Sequence, residues 1–378
     1  MNILIENAVP LNNGDAALIF SIGNQFESKG DTVYYSTFNY KRVKEKYPNK
    51  NWIKSPLTKR IITRVPGIDI VYLSILLLLS PIYRKIDAVV SAPGGYINSF
   101  YGINKKIKLL GLFKKLLNKP VYMYSQSIGY LSNKDEEMLA KAISNFELFY
   151  VRDKKSMDRI KNIGSFPNVY QTKDAAFLLP INHIKSNKKT NKVAISVREW
   201  NEKPKEIKNF KNNIKKIVKY LVDKGYEITF LSTCQGELGY PDDSTIAKEI
   251  VDELLNEDMI KGLLVDDSCY TLEQLIHELD QYEFVIGTRL HMCILSWING
   301  IPAFNISYED KGIECFNYLG ISEYSIEYGK SSREINERLE SFLTADDIQN
   351  VFMRVSEIHD DSQNFFEKMY ENMSIVKR

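Results

Sequence analysis

The stretch YEFVIGTRLHMCILSWINGIPAFNISYEDKGIECFNYL, Tyr282 to Leu319, decides the fold. Phe284–Ile286 is a short apolar run of strand type, Gly287 makes a turn, Thr288 is placed to cap a helix, and the helix runs from Arg289 to Asn299. Gly300 ends that helix, Pro302 follows, and Ala303–Ser307 reads as the next strand, so the segment is a βαβ unit of a parallel sheet. Arg289 and His291 then fall in the first turn of the helix, where unpaired backbone N–H groups and the positive end of the dipole favour an anion. A cation there costs roughly a few tenths of a kcal/mol unless an anion compensates. Either Arg289 and His291 serve a ligand, or Arg289 pairs with a carboxylate from another domain and His291 packs within the helix. Their joint placement at a strand-to-helix turn favours the ligand.

The same grammar extends outward in both directions. Ile3–Glu6, Thr32–Ser36, Ala88–Ala92, Val121–Ser125 and Leu148–Arg152 read as strands, and Asp15–Ser28, Lys105–Asn118, Lys134–Asn145 and Lys154–Ile163 as helices. The polar stretch INHIKSNKKTNK, from Ile181 to Lys192, lacks periodicity and reads as an interdomain linker. The pattern restarts beyond it, with strands at Val193–Val197, Glu227–Ser232 and Gly262–Asp266. Helices follow at Lys205–Lys224 and Ser244–Asn256, and another opens at Thr271, which has capping-box spacing to Gln274. The expected architecture is therefore α/β: two Rossmann-like domains with parallel sheets and the active site in the cleft between them. Residues 1–184 form the first domain, 185–344 the second, and 345–378 a helical segment that packs back on the first.

The bulk properties narrow the function. With 378 residues the chain is long enough for two cores, and 44% apolar and 26% charged residues are ordinary globular values. The net charge of +2 provides no broad positive field, which argues against nucleic acid as a partner. The four cysteines, Cys234, Cys269, Cys293 and Cys315, form no CxxC pair and read as reduced, packed thiols. The start MNILIENAV has neither the basic nor the apolar region of a secretory signal, so a cytoplasmic protein is expected. Ile70–Leu79 is strongly apolar but about half the ~20 residues that span a bilayer, and is expected to be a buried helix; docking at a membrane surface is the other reading. Neither an HExxH motif nor a GxxxxGK[ST] loop is present.

The segment GTRLHMCILSWINGIPAFNISYEDK resembles the C-terminal signature of polysaccharide pyruvyl transferases, a G-x-R-x-H helix followed by G-x-P and a strand ending in S-Y-x-x-K. Asn13-Gly14-Asp15, Ala92-Pro93-Gly94-Gly95, Ser125-Gln126-Ser127-Ile128-Gly129, Asp174-Ala175-Ala176-Phe177 and Arg198 match further family positions in order along nearly the whole chain. Tyr96 stands where the family often has a third glycine, and it would narrow the acceptor side or stack on a sugar ring. The resemblance implies a glycosyltransferase B-type fold. It also implies transfer of the enolpyruvyl unit of phosphoenolpyruvate onto two hydroxyls of one sugar, forming a cyclic ketal with release of phosphate and without a cofactor.

A donor with a carboxylate and a phosphate needs fixed cations, and Arg198, Arg289 and Lys311 are the candidates. A general acid must protonate the donor's methylene carbon. His183 falls in the linker, His277 on an amphipathic helix and His359 in the charged tail, which leaves His291. Asp15 and then Asp174 are candidate bases toward the sugar hydroxyls, although Asp15 reads equally as a helix N-terminal carboxylate. Gly94 and Gly95 either let the backbone approach a ligand or make a plain turn, and Asn13 and Ser127 are further candidates for substrate contact. Cys293 reads as packing. A nucleotide-sugar glycosyltransferase and a non-catalytic glycan-assembly protein are the competing readings. The sugar acceptor, its lipid or nucleotide carrier, peripheral membrane association and oligomeric state stay open at this stage.

Overall fold

Runs of three to eight residues rich in Val, Ile, Tyr and Phe alternate with helices along the chain, and the inner strands of each sheet are buried on both faces, as a sheet covered on both sides requires. The computed structural model describes residues 1–58, 68–182, 190–198, 204–256, 262–346 and 348–376. The chain divides into two units: Met1–Pro10 with Leu18–Leu178 and Asp360–Arg378, and Leu11–Ala17 with Leu179–His359. His183 and much of the polar stretch after Ile181 lie outside the described residues.

The first unit holds strands β1 (Asn2–Glu6), β2 (Thr32–Thr37), β3 (Asn51–Lys54), β4 (Ala88–Ser91), β5 (Gly94–Ile97), β6 (Val121–Ile128), β7 (Leu148–Val151) and β8 (Val169–Gln171). Their order is β3-β2-β1-β4-β6-β7-β8, all parallel, and β5 pairs with β6 off this path. The end of the helix Ile348–Val376 closes one side: Phe366 lies 5.0 Å from Phe26 ring to ring, and Tyr122 and Tyr124 donate hydroxyl hydrogen bonds to Asn372 and the Ser362 carbonyl.

The second unit holds β9 (Lys192–Ser196), β10 (Glu227–Phe230), β11 (Leu263–Val265), β12 (Phe284–Gly287), β13 (Ala303–Ser307) and β14 (Ser325–Glu327). They lie in the order β11-β10-β9-β12-β13-β14, all parallel. The strand order reverses between β9 and β12, so the loops after these two strands leave in opposite directions and open a crevice at their carboxyl ends. Arg198 follows β9, and Arg289 follows β12.

Several sequence expectations hold to the residue. The helices Ser244–Asn256 and Lys154–Ile163 have the expected ends, and Thr271 and Gln274 form a reciprocal capping box. Others need correction. Thr288 does not cap: its N–H still pairs with the Ser196 carbonyl of the sheet, so the helix begins later, at Leu290, with Arg289 as the capping residue in extended conformation. Ala92–Gly95 is not a simple turn, because Gly94 at φ 148° starts β5, which Tyr96 and Ile97 continue. Ile70–Leu79 does form a helix, Ile68–Leu79, but only one side of it is buried: Leu73 and Leu77 are in the core while Val71, Ile75, Leu78 and Leu79 are exposed. The short strands β3, β5, β8 and β14 were not expected from sequence.

Candidate functional site

Of the charged residues that the sequence singles out, Arg198, Arg289, His291 and Lys311 follow strands of the second sheet, at its carboxyl edge. Arg289 reaches from the end of β12 to Asp243 and makes a two-pronged ion pair, Nε to Oδ2 and Nη2 to Oδ1, both at 2.7 Å. The carboxylate comes from the same unit. Asp243 is held in turn by the Ser232 hydroxyl at 2.6 Å, and Ser232 Oγ lies 3.1 Å from Ser196 Oγ. Burial opposes the charge on Arg289, but Asp243 more than compensates and drives the guanidinium pKa further up. The Arg fork has five N–H donors, of which Asp243 takes two. A partly exposed arginine with donors left over suits a bound anion.

The segment Leu11–Ala17 brings Asn13, Gly14 and Asp15 into the same unit. The Asn13 N–H donates to the Thr233 carbonyl at 2.7 Å, which anchors the turn on the loop after β10. Asn12 and Asp15 bond reciprocally: the Asp15 N–H reaches Asn12 Oδ1 at 2.8 Å and the Asn12 amide reaches Asp15 Oδ2 at 2.6 Å. Asp15 thus supports the start of its helix while its carboxylate stays partly exposed. The backbone of Gly14 lies so near His291 that an added Cβ would sit 2.8 Å from Nδ1. Any side chain here would force His291 to shift.

Cys234 feels these charges together. Burial pushes its thiol up to about 12; Arg289 and Arg198 oppose that rise, while Asp243 and Asp15 add to it. A thiol held protonated is no nucleophile. The Tyr240 hydroxyl is likewise pushed up to about 12, by burial and then by Asp15, with Asn12 opposing. Arg198 donates to the Tyr308 hydroxyl, and its guanidinium carbon lies 4.8 Å from the centre of that ring. Lys311 pairs with Glu309, with Nζ 5.8 Å from the same ring. Tyr308 therefore joins Arg198 and Lys311 at the end of β13. Cys293 is fully buried and its thiol is pushed up by burial, consistent with packing.

The remaining predicted residues belong to the first unit. Ser127 accepts from Arg152 Nε at 2.6 Å and donates to Asp153 at 2.7 Å, while Arg152 Nη1 pairs with Asp174 at 2.7 Å. Asp174 is buried and committed to Arg152, a residue that the sequence reading placed at a strand end without a role. A Cβ on Gly95 would lie 3.8 Å from Arg152 Nη2, so this buried guanidinium faces the glycine pair. Tyr96 bonds through its hydroxyl to Ser91, and Lys106 Nζ lies 4.6 Å from its ring centre.

Sequence reasoning also missed Glu6, at the carboxyl end of β1. It is 3% exposed; Oε1 accepts from Ser55 at 2.9 Å, while Oε2 has no hydrogen bond among the described residues. Burial raises its carboxyl to about 7, with Ser36 and Ser55 partly opposing. The available signal was a carboxylate ending an apolar strand.

Two doubly wound parallel sheets with an arginine-bearing switch point define the class: a glycosyltransferase B-type fold. Solved structures agree. A glycosyltransferase from Rickettsia africae matches with a TM-score of 0.65 at 9% identity, covering 99% of this chain and 98% of that one. MurG from Acinetobacter baumannii matches with a TM-score of 0.55 at 12% identity, covering 98% and 99%. These likenesses establish fold alone. Residues 12–310 match the family described as polysaccharide pyruvyl transferase, and the chain belongs to that family. The amylovoran biosynthesis protein AmsJ of Erwinia amylovora is 28% identical over an alignment of 262 residues that covers 64% of this chain and 61% of that relative, so the match spans less than two thirds of either.

Proposed function

We propose that this protein is an enzyme that transfers the enolpyruvyl unit of phosphoenolpyruvate onto two hydroxyls of one sugar during synthesis of a bacterial polysaccharide. The observation that carries the reading is that Arg198 follows β9 while Arg289 and His291 follow β12, the two strands at the switch point of the second sheet, on a chain of this family. Arg289, held by Asp243, and Arg198, held by Tyr308, bind the two anionic groups of the donor, with Lys311 beside them.

His291 delivers a proton to the methylene carbon, which leaves cationic character on the neighbouring carbon. The first sugar hydroxyl adds there, phosphate departs with the electrons of the C–O bond, and the second hydroxyl closes the ketal. The two hydroxyl protons leave, one replacing the proton that His291 gave and one going to phosphate or solvent. Asp15 is assigned the base. Asp174 is assigned the positioning of Arg152, next to the Gly94–Ile97 strand.

Incubation of the purified chain with phosphoenolpyruvate and a panel of lipid-linked and nucleotide-linked glycans tests this. The expected product has gained one pyruvate less one water, with one phosphate released per ketal. Transfer of a sugar from a nucleotide donor, with phosphoenolpyruvate inert, would replace this reading by glycosyl transfer.

A further inference from the structure

The helix Ile68–Leu79, IDIVYLSILLLL, buries only one of its sides. Leu73 and Leu77 enter the core beside Tyr83, Ile107 and Leu110. At 3.6 residues per turn, Val71, Ile75 and Leu78 fall within roughly 60° of one another on the opposite side. They are 59%, 52% and 46% exposed, and Leu79 beside them is 70% exposed. Ser74 adds no polarity to this face, because its hydroxyl donates back to the Ile70 carbonyl at 2.8 Å. Contiguous exposed leucine, isoleucine and valine on one helix face mark an interaction surface. Among the described residues no helix is long and apolar enough to cross a membrane, and this one has 12 residues.

Charge selects the partner. From Leu57 to Lys119 the sequence carries eleven Lys and Arg against Asp69 and Asp87, an excess of nine positive charges in a chain whose whole balance is +2. Three of the eleven, Lys59, Arg60 and Arg64, directly precede the helix in sequence. Arg84 and Lys85 end the short helix that follows it, and both are exposed. Lys105 and Lys115 are exposed on Asn104–Leu117, the helix packed against it. A second copy of this chain is a poor occupant, since a self-complementary contact would set this positive excess against itself. An anionic bilayer satisfies both features at once: apolar side chains enter the acyl boundary while long basic side chains reach headgroup phosphates.

We infer that the exposed face of Ile68–Leu79 docks this protein on an anionic lipid surface, with Val71, Ile75, Leu78 and Leu79 inserted and the neighbouring Arg and Lys on the headgroups. The inference does not depend on the pyruvyl transfer reading, and its test reads binding alone.

The full chain is sedimented with vesicles of phosphatidylcholine and with vesicles of an equimolar phosphatidylcholine–phosphatidylglycerol mixture. Binding to the mixed vesicles that weakens as salt is raised is expected, with little binding to phosphatidylcholine. Val71→Glu with Ile75→Glu should lower that affinity by about tenfold or more, and Arg84→Glu with Lys85→Glu should flatten its salt dependence. All four side chains are exposed, so unchanged thermal unfolding of the variants shows that the fold is intact. Failure of the wild type to bind anionic vesicles overturns the inference, as does equal binding by the Val71/Ile75 variant. A concentration-dependent dimer that this variant abolishes, without vesicle binding, would assign the face to a second copy instead.

Discussion

Arg289 meets Asp243 edge to edge, through Nε and Nη2 at 2.7 Å each, across 46 residues of sequence. This pair sets the plane and direction of the guanidinium before any ligand arrives, and the Ser232 hydroxyl fixes Asp243 from behind. An anion-binding arginine is most effective when its orientation is prepared in this way.

Asp243→Asn keeps the shape of the pair and weakens its grip. The KM for phosphoenolpyruvate should rise about tenfold or more while kcat changes by about threefold at most. Arg289→Ala should be harsher, since it strands a carboxylate whose side chain is 5% exposed, and should destabilise the fold by about 3–5 kcal/mol in denaturant unfolding. A variant Asp243→Asn with wild-type KM would show that the pair is structural.

Gly14→Ala inserts a methyl where only 2.8 Å separates the built Cβ from His291 Nδ1. The ring must move, and kcat should fall about tenfold or more, with donor affinity nearly unchanged. Unchanged kcat would mean that the position of His291 is immaterial to turnover.

His291→Ala should lower kcat far more than it weakens donor binding, as removal of a general acid typically costs about 10²–10⁴-fold. Asp15→Asn should also act on kcat, in steady-state kinetics with saturating phosphoenolpyruvate. Equal losses in donor affinity would instead place either residue in binding.

How much of this was legible in the sequence depends on how local each signal was. The unit Phe284–Ser307 was readable because Gly287, Gly300 and Pro302 punctuate two apolar strands and a helix within 24 residues. Asp243 was not, since it belongs to the loop before another helix and acquires its meaning only from Arg289. Arg152 was hidden in the same way: its partners Ser127 and Asp174 are 25 and 22 residues away. The run Ile70–Leu79 misled because uniform apolarity predicts burial, whereas among the described residues Leu73 and Leu77 are buried and Val71, Ile75, Leu78 and Leu79 are exposed.

Glu6 makes a pH prediction with a definite sign. Its carboxyl has a folded value of about 7 against 4.5 for the unperturbed group, so the folded state holds the proton more tightly. Its contribution to stability is full below pH 4.5 and is lost as pH rises to about 7, a change of about 3 kcal/mol. Glu6→Gln removes this term. The difference in unfolding free energy between variant and wild type should therefore shift in favour of the variant across that window, measured by urea unfolding at several pH values. Parallel curves would show that Glu6 does not titrate there.

The central claim is that the second unit binds phosphoenolpyruvate through Arg198 and Arg289. Isothermal titration calorimetry of the purified chain with phosphoenolpyruvate, and separately with UDP, tests it most directly. The account predicts saturable binding of phosphoenolpyruvate at one site per chain, weakened about tenfold or more in Arg198→Ala. Saturable binding of UDP with no heat from phosphoenolpyruvate would contradict it.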